Sequence, residues 1–186
     1  FLYGRYSKGD TFAKGIVIGS GPSIYKYNHL EILSKSDYKG TLLITDKMLV
    51  PCLKMGITPD RFKDYHVFTL EDMQSFKEFF PYTRYAGKIQ VHHSTRTRIV
   101  DYIKECGYKI SCDHWEYLKV TSSVGTMAFC YGWRILNLRE IALIGMDYSI
   151  YPEPGLVPFS ESSECFKNAY QKIVTMILAP NHQTWY

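Results

Sequence analysis

The chain has 186 residues, of which 46% are hydrophobic and 22% charged, a composition that excludes intrinsic disorder and a fibrous architecture. A net charge of +4 without a dense basic cluster favours small anionic ligands over nucleic acid. No apolar run approaches the roughly 20 residues of a membrane helix, so no transmembrane segment is predicted, and contact with a membrane surface is left open. Five cysteines without a Cys-x-x-Cys pair disfavour zinc ribbons and a disulfide framework, and indicate a reduced, cytoplasmic protein.

Apolar residues recur with two different spacings along the chain, one typical of strands and one typical of helices. Short β-branched runs predict strands at 14–19, 41–45, 66–70, 88–92, 109–112 and 140–145. Helical spacing of apolar residues predicts helices at 25–33, 48–55, 71–80, 97–106, 124–136 and 165–178. This alternation predicts an α/β, Rossmann-like fold with a mostly parallel sheet and helices on both faces. We expect residues 1–186 to form a single Rossmann-like nucleotide-binding domain, a fragment of a longer chain because it starts with neither Met nor a signal peptide.

A glycine-rich turn follows the first predicted strand. It reads Gly19, Ser20, Gly21, Pro22 and Ser23. Glycines allow a phosphate to approach the backbone, and the start of the following helix supplies N–H groups and a positive dipole end. A turn without a ligand is the alternative, and phosphate or nucleotide binding is favoured over it. The pattern is neither a full Gly-x-Gly-x-x-Gly fingerprint nor a Walker A loop.

Three further polar positions lie beside strands or helix starts. The run Thr121–Thr126, with Ser122, Ser123 and Gly125 inside it, precedes the predicted buried helix and serves either as helix capping or as a cradle for an anionic or sugar group. Asp147 follows the most apolar strand, where a carboxylate meets ligand hydroxyls or a neighbouring backbone N–H. Asp46 ends the second strand and joins the predicted nucleotide contacts, because ligands bind at the carboxyl ends of strands in open α/β sheets.

The histidines give a weaker signal. His92 and His93 lie at a strand end, where a general base or a phosphate ligand could lie, but adjacent residues point to opposite faces and at most one of them can face a site. We expect His29 and His66 to be surface or core residues without a role. No His-Glu-x-x-His or paired Cys/His spacing occurs, so no metal site is predicted.

Four motifs in order resemble a family of Rossmann-like transferases. They are Val17–Ser23, Gly56–Asp60, Ser123–Ala128 and Leu143–Asp147. The family includes the motility-associated factor glycosyltransferases that modify flagellin and the archaeal 6-hydroxymethylpterin diphosphokinases, and bacterial sialyltransferases that use CMP-sialic acid look related. The shared pattern is a Gly-x-Gly-Pro-Ser turn and a Thr-Ser-x-Val stretch that leads through a helix to a Gly-x-Asp strand end.

The resemblance implies roles for particular residues. By analogy with the sialyltransferases, the Gly19–Ser23 turn, Thr121 and Ser122 would surround the nucleotide. Those enzymes use a general-base histidine beyond the Gly-x-Asp strand, and here His182 lies downstream. Tyr148 and Tyr151, close to Asp147, are candidates for stabilising the departing phosphate in such a transfer.

These observations predict a glycosyltransferase that passes a sugar from a CMP-sugar donor to an acceptor hydroxyl on a glycan or protein, without a required cofactor. The first alternative is pyrophosphoryl transfer from ATP to a pterin, which would need Mg²⁺. The chain has Asp64, Glu71 and Asp72 where the pterin enzymes carry an Asp-rich, metal-binding stretch, which favours sugar transfer. The second alternative is a nucleotide-binding module without catalysis.

Overall fold

The computed structural model describes residues 13–62, 64–70, 74–93, 98–111 and 123–147. All of them belong to one compact unit, residues 1–149. The predictions for the helix at 165–178 and for a single domain spanning 1–186 extend outside the described residues.

Six parallel strands form one sheet. The strands are β1 (Lys14–Ile18), β2 (Thr41–Thr45), β3 (Tyr65–Thr69), β4 (Gln90–His93), β5 (Lys109–Ser111) and β6 (Glu140–Ile144). Their order in the sheet is β5-β4-β3-β2-β1-β6, and every neighbouring pair is parallel. The predicted α/β, Rossmann-like fold with a parallel sheet is therefore confirmed.

Five α-helices lie in the described part of the chain. They are α1 (Ser23–Lys26), α2 (His29–Lys35), α3 (Asp46–Lys54), α4 (Arg98–Glu105) and α5 (Val124–Arg134). Two 3-10 helices, Gln74–Phe79 and Ala86–Lys88, complete the helical segments there. None of the described helices is long and apolar enough to cross a bilayer.

Three helix predictions need correction. The helix expected at 25–33 is two short helices, because Asn28 adopts a left-handed conformation (φ 52°) that Asn tolerates and that interrupts the helical ladder. The described part of the helix expected at 71–80 is the 3-10 helix Gln74–Phe79. Helix α3 begins at Asp46 rather than Met48, which places Pro51 in its second turn instead of its first.

Helices cover both faces of the sheet. Helix α5 packs against the face that carries Val17, Leu43 and Phe68, and Gly132 permits this close approach because a Cβ there would lie 2.5 Å from Leu43 Cδ1. Parallel partners point to the same face, so Tyr65, which pairs with Leu42, belongs to the opposite face. There the Tyr65 hydroxyl donates to Ile57 O (3.0 Å), just beyond the end of α3.

Strand β6 is less buried than its apolar sequence predicts. It pairs with β1 and forms one edge of the described sheet, and Leu143 is 52% exposed. By contrast Leu42, Leu43 and Ile44 of the inner strand β2 are fully buried. Burial of a strand depends on its place in the sheet as well as on its composition, and the edge position accounts for this difference.

Candidate functional site

The direction of the strand order changes beside β1. The chain adds β2, β3, β4 and β5 successively on one side of β1 and then places β6 on its other side. Helix α5, which leads into β6, lies on the face opposite α3. In open α/β sheets such a switch point leaves a crevice at the carboxyl ends of the two strands, where ligands bind. The strand order therefore predicts the ligand crevice at the ends of β1 and β6.

The two turns that follow β1 and β6 are joined at this crevice. Gly19 N donates to Ile144 O (2.8 Å), and Gly21 N donates to Gly145 O (2.7 Å). A Cβ on Gly19 or Gly21 would lie less than 3.0 Å from Gly145 O, closer than real Cβ atoms come. Gly145 has φ +63°, which favours glycine, and its own Cβ would meet Gly19 O. The protein's own backbone therefore requires these glycines, whatever ligand the crevice takes.

Asp147 binds the start of α1. Its Oδ2 accepts the backbone N–H of Ser23 (3.0 Å) and its Oδ1 accepts the Ser23 hydroxyl (2.7 Å). Of the two roles considered for Asp147, the structure contains the contact with a neighbouring backbone N–H. The carboxylate also supplies the negative charge that a helix start favours, so it occupies the N–H group that a phosphate would need at α1.

Helix α5 presents the other helix start at the crevice. Ser123 is its N-cap in an extended conformation, and its side chain makes no capping bond. The next residues, Val124, Gly125 and Thr126, form the first turn, whose N–H groups have no acceptor within the helix. A Cβ on Gly125 would press on Met146 of the β6 turn, since it would lie 2.5 Å from the Met146 sulfur. This start, of an 11-residue helix, therefore lies beside the turn that follows β6.

Buried polar side chains lie at the carboxyl ends of three adjacent strands. Thr69 pairs with His93 on the neighbouring strand. Thr45 pairs with Phe68, so the next residue, Asp46, stands at the level of Thr69 and His93. Asp46, Thr69 and His93 are each no more than 2% exposed. Asp46 Oδ1 accepts the backbone N–H of Lys47 (2.7 Å) within α3. Sequence reasoning missed Thr45 and Thr69, although each is a polar last residue that directly follows apolar residues of its strand.

The predicted site residues thus fall into three groups. The first is brought together at the crevice: Gly19, Ser20, Gly21, Pro22, Ser23, Ser123, Gly125 and Asp147. Asp46 lies at the end of β2 in the row of buried polar residues. Thr121, Ser122, Tyr148, Tyr151 and His182 lie outside the described residues, and so does the loop expected at 151–158.

Metal ligands do not cluster in the described part of the chain, where no group of three or more His, Cys, Asp or Glu side chains could hold an ion. Comparison with protein-family models, curated proteins and solved structures finds no match for this chain. The transferase family suggested by the sequence motifs therefore stays a prediction.

Proposed function

We propose that this chain is a transferase that binds a nucleotide-activated sugar, with a CMP-sugar as the favoured donor, in the crevice between the ends of β1 and β6. The observation that carries the proposal is the coincidence of two independent features at one place. The switch point of the sheet, where α/β proteins bind ligands, is also where the family-like motifs at 17–23, 123–128 and 143–147 meet.

Within this crevice the donor phosphate binds at the start of α5. Asp147 already occupies the Ser23 N–H and would repel a second anion there. Helix α1 has only four residues and a correspondingly small dipole, whereas α5 has 11 residues. Gly125 lets Met146 of the β6 turn pack closely against the first turn of α5, and Ser123 is the N-cap of that helix. The phosphate would therefore contact the N–H groups of this turn.

Catalysis in this proposal needs a base for the acceptor hydroxyl and donors for the departing phosphate. His182 is the proposed base, and Tyr148 and Tyr151 are the proposed phosphate donors. The acceptor is a glycan or a protein, and no metal is required. We place the reaction in the cytoplasm; among the described cysteines, Cys52, Cys106 and Cys130 carry free thiols.

A thermal-shift screen tests the proposal. The full chain is heated with CMP, CDP, UDP, GDP or ATP, each with and without Mg²⁺. Stabilisation by CMP without metal supports a CMP-sugar donor, because a ligand that binds only the folded state raises the melting temperature. A response to ATP that requires Mg²⁺ would instead support pyrophosphoryl transfer to a pterin. Binding of CMP without turnover of any CMP-sugar would identify a non-catalytic module.

A matched pair of variants locates the nucleotide. Ser123→Ala removes a hydroxyl at the start of α5 and should weaken CMP binding about three- to tenfold, the loss expected for one hydrogen bond. Ser34→Ala removes a hydroxyl that bonds Glu31 O in α2, away from the crevice, and should leave CMP affinity unchanged. Equal CMP affinities in both variants would remove the α5 start from the site.

A further inference from the structure

Two histidines form a hydrogen-bonded pair under α5. His66 Nδ1 and His92 Nε2 are 3.0 Å apart, on the neighbouring strands β3 and β4. Their rings are stacked with centroids 5.2 Å apart. His92 is only 2% exposed and His66 is partly buried, so the pair lies between the sheet and the helix.

The N···N contact limits how many protons the pair holds. A hydrogen bond between two imidazole nitrogens requires a proton on one and a lone pair on the other. The neutral pair satisfies this condition, and one added proton can go to an outer ring nitrogen without breaking the bond. A second added proton places N–H groups on both facing nitrogens and two positive rings in contact, so the bond is lost and the rings repel each other.

Aromatic side chains surround the pair. Phe68 stacks on His92 with centroids 4.7 Å apart, and Tyr131 of α5 lies 4.3 Å from His92 and 5.6 Å from His66. The titratable groups that face the pair in the described part of the chain are Tyr131 and Asp64. Burial raises the pKa of Tyr131, which stays neutral. Burial lowers the pKa of His66, and the negative charge of Asp64 opposes this effect without cancelling it.

The same helix connects the pair to the crevice. Tyr131 lies in the second half of α5, and the first turn of α5 holds Gly125 against Met146. Tyr131 packs on Phe68 as well as on the two imidazoles. A change in the position of His66 or His92 therefore acts on α5 through the Tyr131 ring. A short, closely packed helix moves as a unit, because packed interiors shift between discrete arrangements rather than deform continuously.

We propose that His66 and His92 form a proton-sensitive latch: their hydrogen bond holds α5 in place near neutral pH, and acidification breaks the bond and shifts the start of α5 at the crevice. The consequence for substrate binding rests on the function proposed above, whereas the latch itself does not.

The latch is tested by NMR titration of the full chain between about pH 8 and pH 5. The imidazole signals of the two rings should change in two coupled steps, because the hydrogen bond allows the first added proton and opposes the second. Burial lowers the pKa of His66. The backbone amide shift of Gly125 should follow the second step, which breaks the bond, and the amide shift of Gly87, in the 3-10 helix Ala86–Lys88, should not. Below about pH 6.5, where histidines of the unfolded chain gain protons, the unfolding equilibrium constant should rise by up to about tenfold per pH unit for each proton that the folded pair excludes.

A paired variant removes the titration and keeps the hydrogen bond. In His66→Asn/His92→Gln the amide groups replace Nδ1 and Nε2 respectively, and the pH dependence of both stability and the Gly125 amide should disappear. His29→Gln, at a partly exposed position of α2, is the control and should behave as wild type. If the paired variant does not fold, the wild-type titration decides, because it needs no substitution.

Several results would overturn the latch. Independent titration of the two rings would show that they do not share a bond. A Gly125 amide shift that stays constant through the second step would disconnect the pair from the crevice. CMP serves as the ligand probe: CMP affinity that falls at the second step in wild type but not in the paired variant supports the link to binding. Absence of CMP binding at neutral pH contradicts the proposed function instead, and the ring and Gly125 titrations still decide the latch.

Discussion

A methyl group at Gly19 tests whether the joined turns hold the carboxyl edge of the sheet together. Its Cβ would lie less than 3.0 Å from Gly145 O and 2.7 Å from Met146 Sδ. The sulfur ends a flexible segment and can move, but the carbonyl belongs to the backbone. Gly19→Ala therefore forces the β1 and β6 turns apart and strains the bonds that Gly19 N and Gly21 N donate across the junction.

The expected cost follows from these contacts. Overpacking a tight site costs about 1–3 kcal/mol, and two strained backbone hydrogen bonds place this site in the upper half of that range. We expect Gly19→Ala to lower the free energy of unfolding by about 2–3 kcal/mol. For a chain of this length each kcal/mol corresponds to about 2–4 °C, so the melting temperature should fall by about 4–12 °C.

Gly87→Ala is the matched control. Nothing lies within 4 Å of a Cβ at Gly87, so the same substitution there should change stability by less than about 0.5 kcal/mol. Urea unfolding at neutral pH, followed by circular dichroism, gives the free energy for each variant. If Gly19→Ala is as stable as Gly87→Ala, the two turns are not joined as described, and the crevice loses its structural basis.

Three further predictions concern stability. In a double-mutant cycle of Ser23→Ala and Asp147→Asn, urea unfolding should give a coupling free energy of about 0.5–1 kcal/mol, because the hydrogen bonds between the two residues are solvent-exposed. Additive effects of the two substitutions would show that the pair contributes nothing to stability. Leu43→Ala, at a fully buried position of the α5 face, should cost about 3 kcal/mol, against less than about 0.5 kcal/mol for Ile32→Ala, which is 60% exposed; comparable losses would contradict the packing. Burial, with a smaller effect of Asp64, raises the pKa of Tyr38 to about 12, so the folded state keeps a proton that the unfolded state loses near pH 10. The resulting stability is full below about pH 10 and declines towards pH 12, and Tyr38→Phe should flatten this decline in urea unfolding; an unchanged slope would contradict the assignment.

The strands were predictable because local sequence determines them. Each predicted strand agrees with the structure to within two residues at either end, since apolar β-branched runs end at glycine or polar residues. The break at Asn28 was also a local event, but an Asn in the left-handed region looks like any other polar helix residue in sequence. The exposure of Leu143 was not predictable, because it depends on the edge position of β6.

The contacts that define the site join residues far apart in the chain. The bond between Ser23 and Asp147 spans 124 residues, and the bond between His66 and His92 spans 26. Both require the strand order and register, which apolar patterns do not specify. The sequence placed Asp147 at a strand end and named the backbone N–H as one of its two partners; the position of β6 beside β1 determines that this N–H belongs to Ser23.

The Ser23–Asp147 contact changes the meaning of the glycine-rich turn. In sequence, Gly19–Ser23 resembles a phosphate-binding loop because glycines precede a helix start. In the structure those glycines let two turns of the protein approach each other, and the helix start already binds a carboxylate. We therefore expect an anionic ligand in the same crevice to gain more at the start of α5, because that helix has 11 residues and a larger dipole than the four-residue α1. The Ser-x-Gly sequence at Ser123–Gly125, less conspicuous than the first turn, is accordingly the element on which we expect the specificity for a phosphate to depend.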